Sequence, residues 1–203
     1  MRDRRLIGIS ALFAAIALAS ISPLTVSAAT PTRFGAKLTH ETQPTPRERC
    51  GDTVGKSDPR TCTWVAVEAF ENGGHEQAPR AGTIRKVRLV SCIAGSFTVQ
   101  VARAKPGEDK AKIVRSGPTL NYIKDNQSGG CGGPDGDNYK IQSFNVNLHV
   151  DKGDYIAVKG TKIGFIHNSS SGDALVFEPR LATGGSYQVA DESTGGMLIQ
   201  FQY

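Results

Sequence analysis

The stretch Phe144–Val158, F-N-V-N-L-H-V-D-K-G-D-Y-I-A-V, decides the fold class. Phe144, Val146, Leu148 and Val150 occupy alternate positions, separated by Asn145, Asn147 and His149. A period of two is what a strand with one buried face requires, because successive side chains point to opposite sides of a sheet. Asp151, Lys152, Gly153 and Asp154 then supply turn chemistry, with Gly153 free to take a positive φ. Ile156 and Val158 resume the alternation, so the stretch predicts a β-hairpin.

The same pattern recurs on both sides. Residues 62–67, C-T-W-V-A-V, read as a strand, and the single Trp64 beside Cys62 reads as core or as packing on a disulfide. Ile84–Val90 places Val87 and Leu89 on one face. Phe97, Val99 and Val101 alternate with Thr98, Gln100 and Ala102, and Ala94-Gly95 between the two runs predicts a second hairpin. Lys105–Lys110 is a charged loop, and Ile113 and Val114 suit a short edge strand that Gly117-Pro118 ends. Asn121–Asn138 is the longest irregular stretch, rich in glycine around Cys131. Ile163–Ile166, Leu175–Phe177, Tyr187–Val189 and Leu198–Tyr203 complete the strands. Roughly eight to ten strands, frequent turns and no amphipathic helix predict an all-β antiparallel sandwich. The strand count and long crossing loops favour a jelly roll over an immunoglobulin-like topology.

The N-terminus reads as a removable address. Arg2, Arg4 and Arg5 precede an apolar run to Ile21, Pro23 breaks it, and Val26-Ser27-Ala28 offers small residues for cleavage. The expected organisation is a signal peptide over 1–28, an extended lead-in over 29–60 and one domain over 61–203. Cleavage leaves 175 of the 203 residues, enough for one core, in a secreted, extracellular protein. It also removes three arginines and one aspartate, so the formal net charge falls from +5 to +3. Basic residues are scattered along the remaining chain without interleaved aromatics, which argues against nucleic acid as partner. Lys86 and Arg88 fall on the polar face of their strand. No second apolar run is long enough to cross a bilayer.

The four cysteines Cys50, Cys62, Cys92 and Cys131 are an even number in an oxidising compartment and predict two disulfides. Three pairings exist on paper. Cys50–Cys62, closing a short loop, with Cys92–Cys131 is the favoured pair. Zinc is disfavoured because no C-x₂-C pair exists.

Three segments carry a resemblance: T-R-F-G-A-K-L at 32–38 running to C-T-W-V at 62–65; A-G-T-I-R-K-V-R-L at 81–89; and V-D-K-G-D-Y-I-A-V-K-G-T at 150–161, continuing through N-S-S-S-G-D at 168–173 to G-G-M-L-I-Q at 195–200. Together they resemble a family of small secreted β-sandwich proteins from high-GC Gram-positive bacteria with no assigned activity. The resemblance implies export and a β-sandwich and carries no catalytic residues. The hairpin V-x-x-G-D-x-I-x-V is also similar to hairpins of C1q/TNF-type jelly rolls and of carbohydrate-binding modules.

No catalytic motif emerges. Ser169–Ser171 lacks the G-x-S-x-G elbow and its strand-to-helix context, and His40, His75, His149 and His167 show no spacing that brings a carboxylate to them. The metal candidate is Asp135, Asp137 and Asn138 in the glycine-rich loop, whose carboxylate, amide and carbonyl oxygens suit calcium in a structural role. The ligand candidate is Tyr122 and Tyr139 flanking that loop, with Asn121, Asn126 and Asp137 as hydrogen-bonding neighbours. Aromatic faces cover sugar CH groups while polar neighbours fix orientation. The expectation is therefore a non-catalytic module that binds a polysaccharide or another cell-envelope component through its loops. The alternative is a structural or protein-interaction module marked by an apolar patch or an exposed strand edge, and a hydrolase ranks third.

Overall fold

Alternating apolar residues build two stacked sheets in the computed structural model, which describes residues 32–39, 44, 48–50, 60–69, 74–124, 139–167 and 172–203. In chain order the strands are β1 (Arg33–Gly35), β2 (Glu48–Arg49), β3 (Cys62–Glu68), β4 (Gly82–Leu89), β5 (Gly95–Lys105), β6 (Lys110–Tyr122) and β7 (Gln142–Val150). They continue with β8 (Tyr155–Gly160), β9 (Lys162–Ile163), β10 (Ile166–His167), β11 (Asp173–Phe177), β12 (Gln188–Val189), β13 (Glu192–Met197) and β14 (Ile199–Gln202). The one helical element among the described residues is a 3₁₀ turn at Pro106–Glu108.

A four-stranded sheet runs β1-β14-β4-β7, and an eight-stranded sheet runs β10-β13-β11-β3-β8-β5-β6-β12. All their strand pairings are antiparallel. Taking β1, β3, β4, β5, β6, β7, β8 and β14 as first to eighth, the small sheet has the order 1-8-3-6 and the centre of the large one 2-7-4-5. That is jelly-roll connectivity. An insertion between β8 and β14 adds β11, β13 and β10 beyond β3 and lays β12 along β6. The expected lead-in also belongs to the sandwich, because β1 pairs with β14 and Phe34 is buried against Phe201 at 5.5 Å between ring centroids.

Neither predicted hairpin forms. β7 lies in the small sheet against β4, whereas β8 lies in the large sheet between β3 and β5. The Asp151–Asp154 turn, with Gly153 at φ 86°, is therefore a corner that carries the chain from one sheet to the other. β4 and β5 are separated in the same way. The hairpin that does form is β5–β6, closed by the charged loop at Pro106–Glu108. β6 also runs straight through Gly117-Pro118, which sequence reasoning took as a stop. There the pairing slips between Thr98 and Gln100, and among the described residues β5 alone flanks this part of β6, β12 pairing only at Lys110 and Ala111, so the missing proline N–H breaks no ladder.

The inter-sheet core takes Ile84, Val87, Leu148, Ile199 and Phe201 from the small sheet and Trp64, Phe97, Val99, Ile156 and Val158 from the large one. Phe97, Tyr122 and Phe165 pack edge-on or tilted within 5.1–5.9 Å of one another. The Cys50–Cys62 disulfide joins this core. The large sheet is also covered on its back. Val65, Val67, Ala102, Ile113, Ala157, Leu175 and Phe177 form a second apolar layer under Leu181. Leu181 belongs to a strap over Glu178–Val189 held by Arg180 N–H to Thr61 O at 2.9 Å, Leu181 N–H to Thr63 Oγ1 at 3.1 Å and Gly184 N–H to Ile113 O at 2.8 Å. Burial on both faces explains why β3 reads as a continuous apolar run rather than an alternating one.

Candidate functional site

The tyrosine platform does not exist as expected. Tyr122 is 2 % and Tyr139 1 % exposed, so neither ring offers a face to a ligand. Tyr122 ends β6 inside the core, and its hydroxyl accepts the Gly164 N–H at 3.1 Å. Burial pushes its pKa up to about 12, against the opposing effect of that hydrogen bond. Tyr139 packs with Val90 and Cys92. A tyrosine whose ring and hydroxyl both find partners inside is a core residue. Asn121 is exposed at the end of β6. Asn126, Asp135, Asp137 and Asn138, and with them the calcium candidate, lie outside the described residues. Cys92 is disulfide-bonded, and the Cys131 half of the expected bridge also lies outside them.

Among the described residues, one cluster has metal-ligand spacing: Cys50, Cys62 and Glu178. Its two sulfurs are already bonded to each other, which removes the thiolates a metal would need. Glu178 instead contacts Arg60 at 3.3 Å, an ion contact without hydrogen-bond alignment.

His149 has a carboxylate partner, and that carboxylate is engaged elsewhere. His149 Nε2 lies 3.3 Å from Asp151, which also pairs with Arg103 at 2.7 Å and Arg115 at 3.3 Å. Partial desolvation alone would raise the Asp151 pKa, but Arg115, His149 and Arg103 together hold it below the usual carboxylate range. Buried Asp154 accepts the Asp151 N–H at 2.7 Å and meets Arg103 at 3.2 Å and Arg115 at 3.7 Å. These groups pin the corner between β7 and β8. A carboxylate held by two arginines is a poor proton acceptor.

The surface with the clearest chemistry is the outward face of the small sheet. Register places Arg33, Gln202, Lys86 and Asn145 in one row across the four strands and Gly35, Gln200, Arg88 and Ser143 in another. Thr83 stands opposite His149, and Arg85 reaches Asn147 at 3.4 Å. The bulge between Ile84 and Lys86 lets both Arg85 and Lys86 point outward. Adjacent strands lie about 4.8 Å apart and alternate residues about 7 Å apart along a strand. Arg33, Lys86 and Arg88 are therefore spaced by roughly 7–12 Å on an open surface. None of these face residues is acidic or aliphatic, and His149, at the corner, is the one ring among them.

The face also shows electrostatic tension. Desolvation and the like charge of Arg33 lower the Arg88 pKa. Among the described residues, no carboxylate lies within ion-pair distance of Arg33, Arg85, Lys86 or Arg88. Arg88 donates to Gln200 Oε1 at 2.8 Å, and Gln200 Nε2 donates to Ala36 O at 2.8 Å. Sequence reasoning placed Lys86 and Arg88 on a polar strand face and went no further. The missing information was strand order, which brings Arg33 and Gln202 from the two ends of the domain beside them.

Among the described residues, no helix is long and apolar enough to cross a membrane. No protein-family model, curated protein or solved structure matches the chain.

Proposed function

We propose that this protein is a secreted, non-catalytic module that binds an acidic polysaccharide of the cell surface across the outward face of the small sheet. The observation that carries the reading is the carboxylate-free set of Arg33, Arg85, Lys86 and Arg88 interleaved with Gln202, Asn145 and Asn147. Cations at this spacing suit acid groups repeating along a polymer, and side-chain amides suit the hydroxyls between them. A nucleic acid would call for aromatic side chains to stack its bases, and a membrane surface for apolar side chains to insert. The face has no apolar side chain and, beyond the single imidazole of His149, no ring.

The test is co-sedimentation and calorimetry of the mature, oxidised protein with polygalacturonate, with neutral dextran and with purified cell walls. Saturable, salt-sensitive binding to the acidic polymer and the walls, with none to dextran, is the expected result. Equal binding to dextran, or no binding to either, overturns it. Binding to cell walls that protease treatment of the walls abolishes would favour a protein partner, for which the nine-residue edge strand β7 is the available docking line.

A further inference from the structure

On the opposite side of the molecule, the strap does not seal completely against the back of the large sheet. Pro179–Thr183 and the sheet residues Gln100 and Lys159 enclose an open recess of about 450 Å³, within the roughly 300–1,000 Å³ typical of small-molecule sites. Its floor holds an unusual group. Gln100 is 1 % exposed, and although its Nε2 donates to Ser116 Oγ at 2.8 Å, its Oε1 is a buried acceptor with no partner. Ser116 Oγ in turn lies 2.7 Å from Thr183 Oγ1 on the strap, so a chain of polar groups runs from the sheet to the lip of the recess. Buried amide oxygens are nearly always satisfied, and an orphan at the base of a recess marks a place for a donor.

The walls add charge. Lys159 and Arg180 both line the recess, and among the described residues neither has a carboxylate within ion-pair distance. An acceptor below and two cations beside it ask for a ligand that carries a hydroxyl and an anionic group together. The neighbouring hollow under the strap lacks this combination, because its lining sets two carboxylates, Glu178 and Asp191, against the single cation Arg180. From this arrangement we propose that the recess bounded by Gln100, Lys159, Arg180 and Thr183 is a binding site for a small hydroxylated carboxylate, of the class of a single sugar acid. The hydroxyl donates toward Gln100 Oε1 and the carboxylate pairs with Lys159 and Arg180. The site is independent of the sheet-face reading, from which it is separated by the full thickness of the sandwich.

The test is NMR titration of the full-length oxidised protein with sodium D-glucuronate, with glucose and acetate as comparators that carry only one of the two features. Saturable shifts at the Gln100 side-chain amide and at Lys159 and Arg180 are expected with glucuronate. Each comparator should bind about tenfold more weakly or less, the loss of one charged or hydroxyl contact. Lys159→Gln and Arg180→Gln should remove the shifts, while Lys86→Gln on the other sheet should leave them unchanged. Gln100→Leu tests the floor, with near-UV circular dichroism to verify its fold. If that variant misfolds, the two cation variants still decide. No shifts up to the solubility limit, shifts confined to the small-sheet face, or equal response to acetate would overturn the proposal.

Discussion

Arg88 and Gln200 are joined by a 2.8 Å hydrogen bond across β4 and β14, and Gln200 is itself anchored to the Ala36 carbonyl. A guanidinium that would otherwise sweep the surface is thereby fixed between two strands. Burial and the nearby Arg33 both disfavour its charge, yet it stays ionised, since arginine titrates far above neutrality. An anion arriving at this spot relieves a repulsion that the fold has built in.

Replacing Arg33, Lys86 or Arg88 singly by Gln should weaken binding to an acidic polymer by roughly 0.2–1 kcal/mol each, the range for exposed ion pairs. The triple variant should also lose most of the salt dependence, because the screened interactions are the ones removed. Calorimetry at low and high salt measures both. Unchanged affinity in the triple variant would place the polymer elsewhere.

Asp154→Ala should destabilise the fold by about 1–3 kcal/mol, since it strands the Asp151 N–H and removes a buried partner of Arg103. Asp154→Asn keeps an acceptor for the turn and should cost less. Urea denaturation of both variants tests the order.

These corner residues also show how far the sequence could be read. The strands were legible because each apolar residue in Phe144–Val150 or Phe97–Val101 needs one dry side, and alternation reports that directly. Which strands pair was not legible. An amphipathic strand followed by Asp151–Asp154 looks the same whether the chain folds back on itself or turns the corner into another sheet. The tyrosines failed for a related reason. The group that satisfies the Tyr122 hydroxyl, the Gly164 N–H, is distant in sequence and has no local signature. The cationic face needed strand order as well, since Arg33 and Gln202 come from opposite ends of the domain and meet only through the β1–β14 ladder.

Tyr122 predicts an alkaline limb. Its folded pKa is pushed up to about 12, whereas an unfolded tyrosine ionises near about 10. Its contribution to stability should be complete below about pH 10 and fall as the pH rises from there to about 12. Spectrophotometric titration should show a tyrosine ionising late, and Tyr122→Phe should remove it.

Asp173 predicts a limb of the same sign near acid. Desolvation and the charge of Glu68, its partner across the ladder, outweigh the hydrogen bonds that lower its pKa, so the folded value lies above the ordinary one. Stability from this group should therefore increase as the pH falls through the raised folded value, and be lost again as the pH rises through it. Asp173→Asn should flatten this part of the pH–stability curve and raise stability at neutral pH, as measured by denaturation over a pH series.

Reducing the Cys50–Cys62 bond, or replacing both cysteines by Ser, should cost about 2–4 kcal/mol, largely through the freedom returned to the unfolded chain. Thermal unfolding of the double variant against the parent without reductant measures it, because reductant would also open the bridge at Cys92. A double variant as stable as the parent would show that the core holds this end of the domain unaided.

The lengths of the outermost strands govern how these sheets meet other polypeptides. The large sheet ends in β10 and β12, each two residues long, and the small one begins with three-residue β1. Such stubs offer too few free amides to template a foreign strand. Among the described residues, the longer open ladders are the nine-residue β7 and the part of β6 beyond Ala111, which β12 leaves uncovered and Pro118 interrupts. The outward side chains of β7, Ser143, Asn145, Asn147 and His149, are all polar, so a strand added in the wrong register gains no apolar burial on that side. Strand addition at β7 is thereby disfavoured in all but one register, and along β6 it meets the missing N–H of Pro118.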